Sequence, residues 1–125
     1  MKVFKNFNIP KKYFYSIILI GNFDGLHVGH QKLFKKANQF KKKFKKKIGV
    51  ITFNPMPKMF FNKNLKNFKL MNNSQKIDQL KMQKVDFVID QKFTNNFSKI
   101  KAEFFIQHCL NKLIRAKFLF VSNNF

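Results

Sequence analysis

Ser16-Ile17-Ile18-Leu19-Ile20-Gly21 is a short, unbroken apolar run that ends in glycine. Apolar residues at every position, rather than every second one, are what a strand buried on both faces of a parallel sheet requires. Three further segments read as strands: the β-branched run Ile48 to Phe53, then Val85 to Ile89 and Lys117 to Val121. Between the first two, Leu33, Ala37, Phe40, Phe44 and Ile48 recur at steps of three and four, with lysines filling most intervening positions. That spacing predicts an amphipathic helix with a solvated lysine face. Asn54-Pro55-Met56-Pro57 stops the second strand, because proline cannot continue a ladder. Lys58 to Asn73 reads as loop with a short helix, and Ser74 as the N-cap of a helix carrying Ile77 and Leu80. Ala102, Phe105, Ile106, Cys109, Leu110 and Leu113 form the apolar stripe of a last helix. Strands alternating with helices in this way predict an α/β domain, a parallel sheet with helices on both faces and right-handed crossovers.

The 125 residues suffice for one domain with one core, taken as residues 1–125. Hydrophobic residues at 45% and aromatics at 17% exclude a basic disordered tail despite a net charge of +21. So high a charge raises nucleic acid or an anionic membrane as partner. Against this, Arg115 is the sole arginine and the other basic residues are lysine, beside abundant Asn, Ile and Phe, a profile that AT-rich codons impose on any fold. The scarcity of arginine, the bidentate reader of bases and phosphates, argues the same way, so nucleic acid is not the expected partner. Cys109 stands alone, which excludes an intramolecular disulfide and a cysteine-rich zinc site. Cys109 also falls in the apolar stripe, as a small buried hydrophobe would. The cleanest apolar run, Ile17 to Ile20, is far short of a membrane span, and no signal peptide is legible. A cytoplasmic protein without membrane association is expected.

In a parallel sheet, ligands bind beyond the carboxyl ends of the strands. The first strand ends there in Gly21-Asn22-Phe23-Asp24-Gly25-Leu26-His27-Val28-Gly29-His30. Its glycines permit tight turns and close approach of a ligand, and the following helix start presents unpaired N–H groups that attract phosphate. His27 and His30, three residues apart, can face one anion and offset charge that builds on phosphorus and a leaving pyrophosphate. Two histidines without a third ligand are too few for zinc. Elements and loop together predict a polyphosphate site.

Gly21 through Leu33 resembles the His-x-Gly-His signature of the nucleotidylyltransferase superfamily, in the extended form found in the bacterial FAD synthetase family of bifunctional riboflavin kinase and FMN adenylyltransferase enzymes. Thr52-Phe53-Asn54-Pro55-Met56-Pro57 is similar to that family's second motif, and the register continues through Val85-Asp86, Phe93, Glu103-Phe104 and Val121 to Phe125. The resemblance implies a Rossmann-like sheet and a reaction joining ATP and FMN into FAD and pyrophosphate, with Mg2+ on the phosphates and no metal-ligating residues assigned. It implies His27 and His30 as catalytic residues. Gly21, Phe23, Asp24, Gly25, His27, Gly29, His30 and Asn124 would line the ATP site, and Phe53, Asn54, Pro55 and Pro57 the flavin site. Three positions depart from the pattern: Met56 replaces a His, Lys84 a helix-ending Gly and Ser122 a Gly. A fourth departure is that the pattern continues past Phe125 into a Ser/Thr and Arg motif and a riboflavin kinase domain. On this reading the domain is truncated, incomplete at its C-terminus, and a partner chain would complete it. The alternatives are another nucleotidylyltransferase of the same fold, which a substrate panel separates, and a basic nucleic-acid-binding module, whose binding would fall steeply with salt and survive loss of both histidines.

Overall fold

In the computed structural model, which describes residues 1–24, 28–55, 57 and 72–122, the run at residues 17–20 is the strand around which the others assemble. In chain order the elements are β1 (Lys2–Phe4), a 3-10 turn (Lys11–Tyr13), β2 (Ile17–Ile20), α1 (Val28–Phe44), β3 (Ile48–Asn54), α2 (Asn73–Met82), β4 (Phe87–Lys92), α3 (Asn95–Ser98), α4 (Ala102–Phe104 continuing as a π-helix over Phe105–Leu113) and β5 (Phe118–Val121). The sheet order is β1-β4-β3-β2-β5, and every pairing is parallel. The chain steps from β2 through α1 to β3 and through α2 to β4. It then crosses the sheet through α4 to place β5 on the other flank of β2. The two directions part beyond the carboxyl ends of β2 and β5, a topological switch point of the kind where α/β sheets bind ligands.

Both faces of the central strands β2, β3 and β4 are buried, whereas β5, at the sheet edge, leaves Leu119 and Val121 43% and 50% exposed. Ile17, Leu19, Ile48, Val50 and Val88 pack with Phe34 and Ala37 of α1 and Leu80 of α2. Ile18, Ile20, Ile51, Phe53, Phe87 and Ile89 pack on the opposite face with Phe7, Ile9 and Tyr13 and with Cys109, Leu110 and Ile114. Each such fully buried side chain contributes about 1.5–3 kcal/mol relative to exposure. Burial also pushes the Cys109 thiol above its ordinary pKa, as expected for a packed hydrophobe.

Several expectations need correction. β1 was not anticipated, because three residues with an exposed lysine at the sheet edge carry no periodic signal. α1 ends at Phe44 and Ile48 belongs to β3, because Lys45 turns left-handed (φ 53°) and closes the helix. Among the described side chains of α1 the buried positions are His30, Phe34 and Ala37, with Leu33 only half-buried. The N-cap of α2 is Asn72, not Ser74. Its side chain accepts from Gln75 N–H at 2.8 Å while its own N–H donates to Gln75 Oε1 at 2.9 Å, a capping box. Ile106 is exposed, because hydrogen bonds such as Ile114 N–H to Cys109 O (3.2 Å) span five residues and rotate the stripe, bringing Ile114 into the core instead. The loop read over Lys58 to Asn73 lies mostly outside the described residues.

Two substitutions test these packing arguments. A Cβ on Gly49 would lie within 2.2–2.6 Å of the Phe87 ring, which is fully buried and cannot yield. Gly49→Ala is expected to lose about 2–3 kcal/mol or more in denaturant melts. Lys84, standing where the family pattern has Gly, adopts φ 61° after α2. Lys84→Gly relieves that left-handed strain and should gain about 0.5–1 kcal/mol in the same melts.

Candidate functional site

Gly21 follows β2 at its carboxyl end, donating its N–H to Ile51 O at 3.1 Å, while Ser122 N–H donates to Ile20 O at 2.9 Å just after β5. The backbones of the two motifs meet so closely that a Cβ on Gly21 would lie 2.7 Å from Ser122 Cβ and 3.0 Å from the Phe23 ring. Glycine is required there for space. Phe23 then turns left-handed (φ 53°), which folds its ring into the core at 0% exposure. The strain of about 1–2 kcal/mol is offset by about 1.5–3 kcal/mol of burial. The ring supports His30 at 5.1 Å between centroids and Phe34 at 5.4 Å.

His30 is 6% exposed in the first turn of α1, and its Nε2 lies 3.2 Å from Ser122 Oγ. The imidazole is thus held between the aromatic floor of the loop and the end of β5. The structure brings Gly21, Phe23, Asp24 and His30 together at the switch point, with Gly29 in the same helical turn. Gly25, His27 and Asn124 lie outside the described residues. Asn54, the last residue of β3, and Pro55, joined to it by a cis peptide, are half-buried, as is Pro57 beyond them. Phe53 is buried, its ring packed against Phe93, Phe97 and Phe105 at 5.8, 5.6 and 6.4 Å. Arg115 is at the other end of the sheet: its carbonyl accepts from Tyr15 N–H at 2.9 Å and its guanidinium lies over Phe14.

Sequence reasoning missed a second row of polar groups between β3, β4 and α2. Lys76 is 6% exposed and donates from Nζ to Thr52 Oγ1 at 2.9 Å, with Phe53 O at 3.5 Å. Thr52 Oγ1 donates to Asn22 O at 3.3 Å. Buried Asp90 accepts from Lys5 Nζ and Asn73 Nδ2, both at 2.9 Å. Among the described residues Asn22 Oδ1 is buried without a hydrogen-bond donor. The signal for this row was present in the spacing: Asn73, Lys76, Ile77 and Leu80 fall at i, i+3, i+4 and i+7, so two polar residues share the inward stripe of α2. No group of three or more His, Cys, Asp or Glu suited to a metal occurs among the described residues. Nor is any helix among them long and apolar enough to cross a membrane.

A parallel sheet with this switch-point loop has the α/β architecture of the nucleotidylyltransferase superfamily. Residues 10–125 match the FAD synthetase family, and the chain belongs to it. Over 110 residues it is 34% identical to the bifunctional riboflavin kinase/FMN adenylyltransferase of Buchnera aphidicola from Acyrthosiphon pisum, covering 88% of this chain and 35% of that protein. The proteins of the same description from Haemophilus influenzae and Escherichia coli K12 are 33% and 32% identical, over 86% and 87% of this chain and 35% of each. The chain therefore spans little more than a third of these relatives. A crystal structure described as a macrolide-efflux protein from Streptococcus pneumoniae superposes with a TM-score of 0.78 at 29% identity, over 95% of this chain and 40% of that one.

The contact between His30 and Ser122 is directly testable. Ser122→Ala should lower stability by about 1 kcal/mol and move the His30 Nε2 resonance in nitrogen-15 NMR spectra. Unchanged ring resonances would show that the hydroxyl does not hold the imidazole.

Proposed function

We propose that the chain is an FMN adenylyltransferase, forming FAD and pyrophosphate from ATP and FMN. The carrying observation is His30, buried in the opening turn of α1 at the switch point between β2 and β5. A phosphate oxygen of FMN attacks the α-phosphorus of ATP, the bond from that phosphorus to the bridging oxygen breaks, and pyrophosphate leaves. No covalent intermediate on the protein is needed, so catalysis is positioning and charge stabilisation.

In this reading Gly21, Phe23, Asp24, Gly25 and Gly29 shape the ATP loop. His27 and His30 donate hydrogen bonds to phosphate oxygens whose charge grows as the bond to pyrophosphate breaks, and Asn124 contacts the nucleotide phosphates. Asn54, Pro55 and Pro57 border the flavin, with Phe53 beneath their turn. Mg2+ enters with ATP as part of that substrate, neutralising phosphate oxygens, which suits a hard cation that keeps phosphate and water ligands. The buried free thiol of Cys109 suits the cytoplasm, where the reading places the protein. Riboflavin kinase activity, named for the relatives, is not part of the proposal.

The test is chromatographic detection of FAD after incubating the 125-residue chain with ATP, FMN and magnesium. His30→Ala and His27→Ala are each expected to reduce the rate by about 100-fold or more, the usual cost of removing a donor aimed at developing charge. A folded chain that makes no FAD and binds neither ATP nor FMN overturns the reading.

A further inference from the structure

Lys76 is a charged side chain buried to 6% exposure, in a place where neither core packing nor surface solvation accounts for it. Burying an ammonium costs several kcal/mol unless its protons are used. Here they are used at the end of β3, the strand that carries the second motif. Nζ donates to Thr52 Oγ1 at 2.9 Å and lies 3.5 Å from Phe53 O. With an ammonium donating into it, the Thr52 hydroxyl turns its own proton outward, and that proton goes to Asn22 O at 3.3 Å. Asn22 belongs to the loop that carries Phe23 and leads to His30. A chain of donors running one way thus connects α2, the end of β3 and the ATP loop, and each link polarises the next.

The helix is fixed so that Lys76 can do this. Asn72 caps it through the reciprocal bonds with Gln75, and Asn73 Nδ2 reaches Asp90 at 2.9 Å on β4. Leu80, at 0% exposure, anchors the following turn. Thr52 and Asp90 are register partners across β3 and β4, so both polar anchors of α2 meet the sheet at one level.

We infer that Lys76 is a positioning residue for the adenylyltransferase site: through Thr52 it sets the relative placement of the ATP loop at Asn22–Phe23 and the flavin-side turn at Phe53–Asn54. The inference rests on the proposed function for its consequence, and on the bonds above for its geometry. Methionine keeps the length and apolar stem of lysine without the charge, so Lys76→Met separates positioning from packing.

In the full chain, Lys76→Met should retain or raise Tm, since burial of the charge is relieved. The amide protons of Gly21 and Phe93, which bond to Ile51 O and Asn54 O at the site end of the sheet, should exchange about tenfold faster. Those of Ile17 and Tyr15 at the opposite end should be unaffected. Calorimetric titration should show ATP and FMN each binding about tenfold more weakly. Thr52→Val should reproduce both losses, and Lys76→Met/Thr52→Val should be no worse than either alone, because the two act in series. Thr52→Val also carries the test if Lys76→Met does not fold.

Unchanged binding and exchange in a folded Lys76→Met chain overturn the inference. So do losses that add in the double variant, which would mean that Lys76 acts on the ligand directly. A native chain that binds neither ligand removes the proposed function instead, and the exchange comparison then decides the positioning role by itself.

Discussion

The site depends on one constraint: β2 is paired in parallel on both flanks at once, with β3 on one side and β5 on the other. β3 arrives by a local step through α1, and β5 only after the chain has laid down β4 and crossed the sheet. The carboxyl ends of three strands that are distant in sequence therefore converge, and Gly21 and Ser122 meet with no room for a Cβ between them. His30 and Ser122, 92 residues apart in sequence, come within 3.2 Å for the same reason. A wider gap between β2 and β5 would leave the imidazole without its partner on β5.

Around this junction the chain accepts local costs that packing offsets. Phe23 is left-handed, Lys76 is a buried ammonium, and Thr52 and Asp90 are polar groups facing the interior. Each lies on the face covered by α1 and α2: Thr52 and Asp90 near the carboxyl ends of their strands, Phe23 just beyond β2, and Lys76 on α2 against Thr52. Deeper along the same strands the interior residues are Ile, Leu and Val. On this face of β3 and β4 the boundary between apolar core and polar site thus falls at the register pair Thr52 and Asp90, two residues before the carboxyl ends of the strands. The polar groups are held by the rigid layer beneath them and not by the loops they support. Preorganisation of this kind is what charge stabilisation without a covalent intermediate requires.

How much of this was legible in the sequence follows from which signals are periodic. The apolar runs of β2, β3, β4 and β5 and the α1 and α4 stripes stand out because strand burial and helical spacing leave runs that few other arrangements explain, although on edge strand β5 the run leaves Leu119 and Val121 exposed. The loop after β2 stands out because glycines and histidines follow a buried strand at once. Lys84 was legible in a finer sense: a position that wants Gly in the family pattern does adopt a left-handed backbone here. β1 was not legible, since a three-residue edge strand gains its stability from β4 and not from its own pattern. The π-helical turns were hidden because a five-residue hydrogen-bond step leaves no separate mark in composition. Lys76 was hidden among 25 lysines, and only its position on the inward stripe of α2 distinguishes it.

That abundance of lysine bears on where phosphate charge is met. The last-turn lysines of α1, Lys41 to Lys43, complement the carboxyl end of the helix dipole. At 1.5 Å per residue they stand roughly 18 Å along the axis from His30, about two Debye lengths at physiological salt. Lys41 is further engaged with Asp86, whose carboxylate also accepts from Ile48 N–H. Arg115 is held at the amino ends of the strands. Lys32, Lys35 and Lys36 of the same helix stand only about 3–9 Å along the axis from His30, so of the net charge of +21 it is these lysines, and not the last-turn ones, that lie near the loop after β2. On the proposed reading, developing charge on phosphate is met by groups within hydrogen-bond reach, above all His30 and the N–H groups of the first turn of α1. The buried polar row bears on the same reading, because it ties Asn22, in the loop leading to those groups, through Thr52 to Lys76 on α2.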